Sequence, residues 1–331
     1  MKKIDVFPHI LPDPVLARIG QLQDTWTRNV SVETRPSLHD LDARFRIMDR
    51  YEDYVQVLTL AVPPLEVVAT GQTGMDLAQL ANDTLAELVV RHPDRFLGFA
   101  AAVMLEDVDA SIVELERAVK HLGALGAQIF TNVNGVALDE PRFEPFFARL
   151  AELDKVLWVH PWRPPTVADY AGEQMSKYGL WIKLGWPYET ALFMSRLIFS
   201  GITQRYPNLR ILTHHAGGIV PHLAGRLVLQ HDLPELRAIM GIDPEWDEPR
   251  VTNAYRAFYG DTVFSGAHHP LDCALDFFGA EHILFGTDMP YGAEGGEMFI
   301  RETIAAVEEA SPTDQLRRQL FESNARQLLG I

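Results

Sequence analysis

The sequence predicts a (β/α)8 TIM barrel with loop insertions over the mouth formed by the carboxyl ends of its strands. Short apolar runs alternate with longer amphipathic runs along the 331 residues, which is typical of parallel strands joined by helices. The short runs are continuously apolar, as expected for strands buried on both faces. No glycine-rich turn follows the first of them, so the usual signature of a doubly wound open sheet is missing. We therefore expect one barrel domain over residues 1–331.

Eight strands and their helices can be placed in order from these runs. The predicted strands cover residues 3–7, 54–61, 96–102, 127–130, 155–159, 209–213, 258–262 and 282–286. The predicted helices cover residues 75–91, 107–122, 142–153, 190–200, 221–230, 270–278, 298–310 and 314–329. In the second helix Ile112, Leu115 and Val119 recur at helical spacing, which predicts one buried face.

Two stretches fit no barrel unit and are interpreted as insertions. They cover about residues 12–39 and 164–189, directly after the first and fifth predicted strands. Because the active sites of such barrels are built from the loops that follow the strands, both insertions are expected to lie over the mouth.

Composition and charge exclude several classes of function. The formal net charge of −16 disfavours binding to nucleic acid or to an anionic membrane. The only cysteine, Cys273, cannot form an intramolecular disulfide, which favours a reducing compartment. No stretch approaches the roughly 18 apolar residues of a membrane span, and the first residues lack the apolar run of a signal peptide. We therefore expect a cytoplasmic protein without a membrane partner.

Residues that can bind metals stand where the predicted strands end. His9 follows the first strand, His160 the fifth, His214 and His215 the sixth, and Asp288 the eighth. In a barrel, these positions converge on one axial pocket. A single strand-end histidine is more often a structural hydrogen-bonding residue, but four such strand ends together favour a metal site. Imidazole nitrogens and one carboxylate are a suitable ligand set for zinc or a similar divalent ion.

Several motifs extend over nearly the whole chain. They are IDVFPHILP, MDRYEDYVQVLTLA, VLWVHPW, LIFSGITQRYPNLRILTHHAGGIVPHLAGR, FYGDT, ILFGTDMPYG and the terminal SNARQLLGI. With these motifs the chain resembles the ACMSD-like decarboxylases of the amidohydrolase superfamily, which include aminocarboxymuconate-semialdehyde decarboxylase and the resorcylate-type aromatic acid decarboxylases. The resemblance runs over residues 4–329, and residues 197–226 are its most specific stretch. It implies the barrel fold and a catalytic metal.

The resemblance implies metal ligands at His9, His160 and Asp288. It also implies a ligand two residues before His9, where this chain has Phe7, which cannot ligate a metal. Three protein ligands still suffice for a catalytic site with open positions. His215 matches the strand-six histidine of the family, usually a catalytic acid or base, and could instead become a metal ligand here. The alternative is a degenerate site that binds metal weakly or not at all.

The two adjacent histidines are expected to divide their roles. Successive side chains of a strand point to opposite sides, so only one of them should face the pocket. The alignment of HHAGGIVP favours His215, which leaves His214 as a packing residue or as a residue that supports a ligand. His268 and His269 follow the seventh strand and could replace the missing ligand, although an exposed loop pair is the stronger expectation.

Residues for substrate binding are expected in the loops. Trp162 and Arg163 directly follow His160, and Arg35 lies in the first insertion. An arginine there, including Arg28 as an alternative, could hold a substrate carboxylate by a bidentate pair. Aromatic residues in loops suggest a planar, partly apolar ligand. They are Trp26, Trp181, Trp186 and Tyr291.

The resemblance implies metal-dependent, non-oxidative decarboxylation of an aromatic or unsaturated carboxylic acid. His215 or Asp288 would deliver the proton, and the cofactor would be zinc, with manganese or iron as alternatives. One alternative is metal-dependent hydrolysis with Asp288 as the base. Another is an altered-site subunit that works with a paralogous partner in oxidative chemistry. The expected assembly is a homodimer, or a hetero-oligomer in that last case.

Overall fold

Parallel strands form the barrel wall in chain order. The computed structural model describes residues 1–23, 30–228, 233–242 and 246–331. Within these residues there are eight barrel strands, each paired in parallel with the next along the chain. They are β1 Lys3–Asp5, β2 Tyr54–Leu60, β3 Phe96–Ala102, β4 Gly126–Phe130, β5 Val156–His160, β6 Arg210–Thr213, β7 Tyr259–Asp261 and β8 Ile283–Leu284. The predicted (β/α)8 barrel is confirmed, and all carboxyl ends share one rim.

The barrel is closed between the last strand and the first by isolated backbone hydrogen bonds. Residues that follow these two strands form them. Asp288 N donates to Phe7 O at 3.2 Å, and His9 N donates to Met289 O at 2.6 Å. On its other side, the segment His9–Ile10 pairs in parallel with the end of β2. The chain around His9 is therefore fixed between β2 and the segment after β8, directly beside Asp288.

Seven of the eight predicted helices agree with the structure to within a few residues, while others, such as Leu41–Met48 and Glu248–Arg256, were not predicted. Helices surround the strands. They are Asp13–Leu22, Val30–Thr34, Leu41–Met48, Leu65–Val68, Gly71–Arg91, Val108–Arg117, Glu144–Glu152, Trp186–Phe199, Ile202–Arg205, Ala224–Leu227, Pro234–Met240, Glu248–Arg256, His268–Phe278, Glu297–Ala310, Asp314–Arg318 and Asn324–Leu329. Wider helical turns cover Ala118–Leu122, Trp181–Gly185 and Gln319–Ser323. Among the described helices, none is both long enough and apolar enough to cross a bilayer.

The helix predicted at 221–230 is wrong in its length. It is replaced by two short turns, Pro221–Leu223 and Ala224–Leu227, and the last predicted positions, 229 and 230, lie outside the described residues. Pro221 suits a first turn, but Gly225 has a low helix propensity, so nothing in the local sequence extends these turns into a long helix.

Below the rim, apolar side chains fill the barrel interior. Trp158 on β5 is fully buried there, and its Nε1 donates to Val6 O at 2.9 Å. Gly126 on β4 leaves room for this ring, because a Cβ at that position would lie 2.9 Å from the indole and 1.8 Å from Val156 O. Phe7 belongs to the same buried cluster and is its member nearest to the rim histidines. The polar site therefore lies above a closed apolar floor.

A fully buried arginine joins the first insertion to the rim. Arg44, on Leu41–Met48, donates from Nη1 to His9 O at 2.9 Å and to Ser37 O at 3.0 Å. Its Nε donates to Gln56 Oε1 at 2.8 Å. Burial lowers the pKa of Arg44 to about 10, which still leaves it charged at neutral pH. This side chain thus fixes the backbone of His9 and the end of the insertion together.

Replacing Arg44 by methionine should destabilise the protein, because the carbonyls of His9 and Ser37 lose a buried charged donor. The expected decrease in the free energy of unfolding is about 2–4 kcal/mol, measured by urea denaturation. Arg46→Met is the matched control, since Arg46 lies on the same helix and is exposed. It should change the free energy of unfolding by less than about 0.5 kcal/mol. Equal effects of the two substitutions would contradict this role of Arg44.

Candidate active site

Three histidines and one aspartate meet at the rim of the barrel. His9, His160 and His214 are each at most 1% exposed, and their potential ligand atoms lie within 4.8 Å of one another. Asp288 Oδ1 lies 3.1 Å from His9 Nε2 and 3.5 Å from His214 Nε2. The predicted residues His9, His160 and Asp288 are therefore brought together, and His214 joins them.

The three imidazole rings are each oriented through Nδ1 by an oxygen atom. Nδ1 acting as the donor in these contacts leaves the lone pair on Nε2, which is the form that binds metals. The contacts are His9 Nδ1 to Thr59 Oγ1 at 3.1 Å, His160 Nδ1 to Pro161 O at 2.7 Å and His214 Nδ1 to Asp261 Oδ2 at 2.6 Å. Apart from their approach to Asp288, the buried Nε2 atoms of His9 and His214 have no hydrogen-bond partner in the described part of the chain. The donor atoms thus fit a divalent ion.

The charge states of the group follow from burial and from mutual contacts. Burial alone would raise the pKa of Asp288, but His214 and His9 hold it well below its usual range. Burial, together with the neighbouring histidines, lowers the pKa of His9 and of His160. Burial would also lower the pKa of His214, but Asp261 and Asp288 outweigh it and raise the pKa to about 9. Without an ion, the site therefore combines an ionised carboxylate with neutral His9 and His160 and a protonated His214, whose Nε2 proton a divalent ion would have to replace.

His215 lies against His214, with ring centroids 3.9 Å apart, and forms a group of potential ligands with His214 and Asp288. The prediction that only one of the two adjacent histidines faces the pocket is wrong. It assumed a continuous strand, whereas β6 ends at Thr213 and His215 has a left-handed φ of 56°. Burial and His214 lower the pKa of His215 to about 3. Its Nδ1 is buried, and no described residue forms a hydrogen bond with it.

Phe7 occupies the position at which the resemblance implies a further ligand. Its ring is fully buried and stacks on His214, with centroids 4.2 Å apart and planes inclined by 29°. The centroids of His9 and His160 are 5.9 and 6.4 Å away. This side chain therefore supplies an apolar wall to the site and no donor atom.

Arg35 and Tyr291 lie on the His9 side of the site. The Tyr291 ring is 5.4 Å from the His9 ring, and the Arg35 guanidinium lies 5.5 Å from the Tyr291 ring centroid. Arg35 Nη1 contacts Thr34 Oγ1 at 3.2 Å, and among the described residues no carboxylate lies within ion-pair distance of Arg35. The first insertion therefore brings a positive charge close to the histidines, and no carboxylate of the described residues compensates it.

Arg163 has a different environment. It forms an ion pair with Glu189 at 3.3 Å and donates to Ala168 O at 3.3 Å, so its charge is already compensated within the second insertion. Trp162 and Arg163 line a cavity of about 690 Å³ between the loops after β4 and β5 and the helix Trp186–Phe199. This cavity lies beside the histidine group rather than on it.

The remaining predicted loop residues have varied placements. Trp186 packs edge-on against His160, with centroids 5.2 Å apart, so the second insertion does cover the fifth strand end. His268 and His269 form a separate group with Asp272 on the outer helix and do not join the rim histidines. Trp26 and Arg28 lie outside the described residues.

Sequence reasoning missed Asp261, which ends β7 within the motif FYGDT. Besides holding His214, its Oδ1 accepts the backbone N–H groups of Ala216 at 3.2 Å and Val263 at 3.1 Å. An aspartate at the end of a predicted strand was the available signal, but it was not connected with the histidines of the neighbouring strand.

Comparison with known proteins agrees with this site. A family model described as amidohydrolase matches residues 4–331. The chain is 31% identical to a 2-amino-3-carboxymuconate-6-semialdehyde decarboxylase of Dictyostelium discoideum, over 88% of this chain and 77% of that protein. It is also 31% identical to a gamma-resorcylate decarboxylase of Rhodococcus jostii, over 76% of this chain and 77% of that protein.

A solved structure supports the same relationship. It is a dihydroxybenzoic acid decarboxylase from a Polaromonas species with bound manganese and the inhibitor 2-nitroresorcinol. It superposes with a TM-score of 0.79 at 27% identity, and the match covers 99% of this chain and 97% of that one. The chain therefore belongs to the amidohydrolase superfamily, within its ACMSD-like family of decarboxylases.

Proposed function

We propose that this enzyme is a metal-dependent, non-oxidative decarboxylase of an aromatic or unsaturated carboxylic acid. The observation that carries the proposal is the donor set at the rim, in which oriented imidazoles surround one ionised carboxylate. The named relatives all decarboxylate carboxylic acids, which favours this reaction over hydrolysis. We also propose that residues 1–331 act as one domain.

The donor atoms present fit a divalent metal ion. His9, His160 and Asp288 would hold it. The sequence left His215 as a possible further ligand, but we propose it as the proton carrier instead. Zinc suits imidazole and carboxylate ligands, and the manganese bound in the Polaromonas structure makes manganese an equal candidate, with iron as a third. When bound, the ion would supply electrostatic stabilisation to the substrate carboxylate or to a neighbouring hydroxyl group.

Proton delivery falls to His215. The reaction breaks the bond between the ring carbon and the carboxylate, leaves the electron pair on the ring carbon, adds a proton there and releases carbon dioxide. His215 has a buried Nδ1 without a partner among the described residues, at the edge of the ligand group. Its pKa of about 3 leaves it neutral in the free enzyme, so the proton that it would pass to a bound ring would have to enter with the substrate. Asp288 is the alternative proton carrier, although its low pKa suits a ligand better.

Arg35 is proposed to bind a carboxylate of the substrate, and Arg35→Gln should therefore raise KM. A lost charge-assisted hydrogen bond of about 1.5–3 kcal/mol corresponds to roughly a 10- to 100-fold change in KM. Arg163→Gln is the comparison and should have a smaller effect, since Glu189 already compensates that charge. Steady-state kinetics measure KM for both variants. A larger increase in KM for Arg163→Gln than for Arg35→Gln would contradict this assignment.

The decarboxylase proposal is tested by measuring carbon dioxide release from a panel of hydroxybenzoates and carboxymuconate semialdehydes. The purified chain is loaded in turn with zinc, manganese and iron(II). We expect turnover of at least one compound, and no turnover by His160→Ala, which lacks a rim histidine. Absence of carbon dioxide from a wild-type chain that carries about one equivalent of metal would overturn the proposal.

We propose a cytoplasmic homodimer as the working assembly. The support is the family resemblance and the single cysteine, Cys273. Light scattering of the purified chain measures the assembly directly. A second chain that co-purifies and is needed for activity would instead support the altered-site subunit considered from the sequence.

A further inference from the structure

We infer that His214, held by Asp261, is a metal ligand of this site and replaces the ligand that is missing at Phe7. The inference rests on the proposed function in one respect, namely that a divalent metal binds at the rim. It goes beyond the ligand set implied by the resemblance, because that set assigns no role to position 214.

The first step is that the position of the missing ligand and a possible replacement ligand lie side by side. Phe7 removes a donor atom from the wall formed by the first strand. The side chain packed flat against Phe7 is His214, with ring centroids 4.2 Å apart. The imidazole of His214 therefore lies in direct contact with the residue at the position that no longer offers a ligand.

The second step is the direction of the free nitrogen. His214 Nε2 is buried, accepts or donates no hydrogen bond among the described residues, and lies 3.5 Å from Asp288 Oδ1. His214 belongs both to the group formed with His9 and His160 and to the group formed with Asp288. His215 shares only the latter, so His214 is the better placed of the two to complete the set.

The third step is the carboxylate behind the ring. Asp261 Oδ2 lies 2.6 Å from His214 Nδ1, and both side chains are fully buried. Metal-binding histidines usually donate their second ring N–H to a carboxylate or carbonyl, which fixes the tautomer and orients the ring. Backbone N–H groups of Ala216 and Val263 hold the other oxygen of Asp261, so the carboxylate is itself fixed.

The test compares His214→Asn with His215→Asn in the full chain, using cobalt(II) as the probe ion. Cobalt affinity and the ligand-field absorption report the donor set without any substrate. We expect Asp261→Asn to weaken cobalt binding by about 10- to 100-fold. His214→Asn should weaken it more, because it removes the donor atom itself, and should change the absorption spectrum. His215→Asn should leave both unchanged.

A restoring variant and a measurement on the wild type guard against a simple folding defect. Phe7→Glu added to His214→Asn should recover cobalt affinity, because it returns a donor to the wall next to position 214. In the wild-type cobalt protein, proton NMR should show three exchangeable, paramagnetically shifted ring N–H signals, from His9, His160 and His214. Two signals would overturn the inference, and so would three signals that fall to two in His215→Asn.

The failures of the two proposals can be told apart. A chain with three ring N–H signals but no carbon dioxide release would refute decarboxylation and leave the ligand assignment intact. Carbon dioxide release together with unchanged cobalt affinity in His214→Asn would refute the ligand and leave decarboxylation intact.

Discussion

Replacing Asp288 by asparagine should remove decarboxylation almost completely and release most of the metal. Asp288 supplies the ionised carboxylate among the rim histidines, at 3.1 Å from His9 Nε2. The amide keeps the size of the side chain and tolerates the left-handed φ of 65°, so the backbone should not change. We expect kcat/KM to fall by at least about 10³-fold, or about 4 kcal/mol.

The measurement pairs elemental analysis with carbon dioxide release. Asp276→Asn, at an exposed position on His268–Phe278, is the control for loss of one negative charge from an acidic protein. It should retain metal and activity. Full activity of Asp288→Asn with normal metal content would contradict the central place given to this carboxylate.

The second large effect is expected for His215→Asn. If His215 delivers the proton to the ring carbon, kcat should fall by about 10²- to 10⁴-fold, which is the usual contribution of a general acid. KM and metal content should change little, because His215 is assigned neither to substrate binding nor to the metal. Asparagine also accepts the left-handed backbone at this position.

Two results would assign His215 differently. A loss of metal from His215→Asn would make it a ligand, as considered from the sequence. An unchanged kcat would move proton delivery to Asp288. Single-turnover measurements with saturating substrate separate the chemical step from product release and so decide whether kcat reports proton transfer.

Much of the barrel could be predicted because most of its strands lie within continuous apolar runs of the sequence. β3 was placed at Phe96–Ala102 without error, since seven apolar or small residues in succession leave few alternatives. The predicted β8 is too long, because Ile283–Leu284 is followed by backbone that hydrogen-bonds to side chains and to the residues after β1 rather than forming a regular ladder. Local sequence patterns therefore predict where apolar segments lie, but not the residue at which strand pairing ends.

The sequence predicts the site residues that can be recognised from their place at the end of a strand. It does not predict those whose role depends on contacts between distant segments of the chain. His9, His160 and Asp288 follow from strand ends alone. The role of His214 does not, because it depends on the backbone turn at His215 and on Asp261, which lies 47 positions away. The ion pair between Arg163 and Glu189 is likewise invisible in the sequence, and it alters which arginine is free for a substrate.

The closure of the barrel has a consequence for when the site can exist during synthesis. His9 leaves the ribosome long before Asp288, which follows the last strand, and the hydrogen bond from Asp288 N to Phe7 O joins the two segments. Until that hydrogen bond forms, the histidines of the earlier strands lack the Asp288 carboxylate. A metal ion can therefore bind with full affinity only after Asp288 has been synthesised and the barrel has closed, so retention of the ion reports barrel closure.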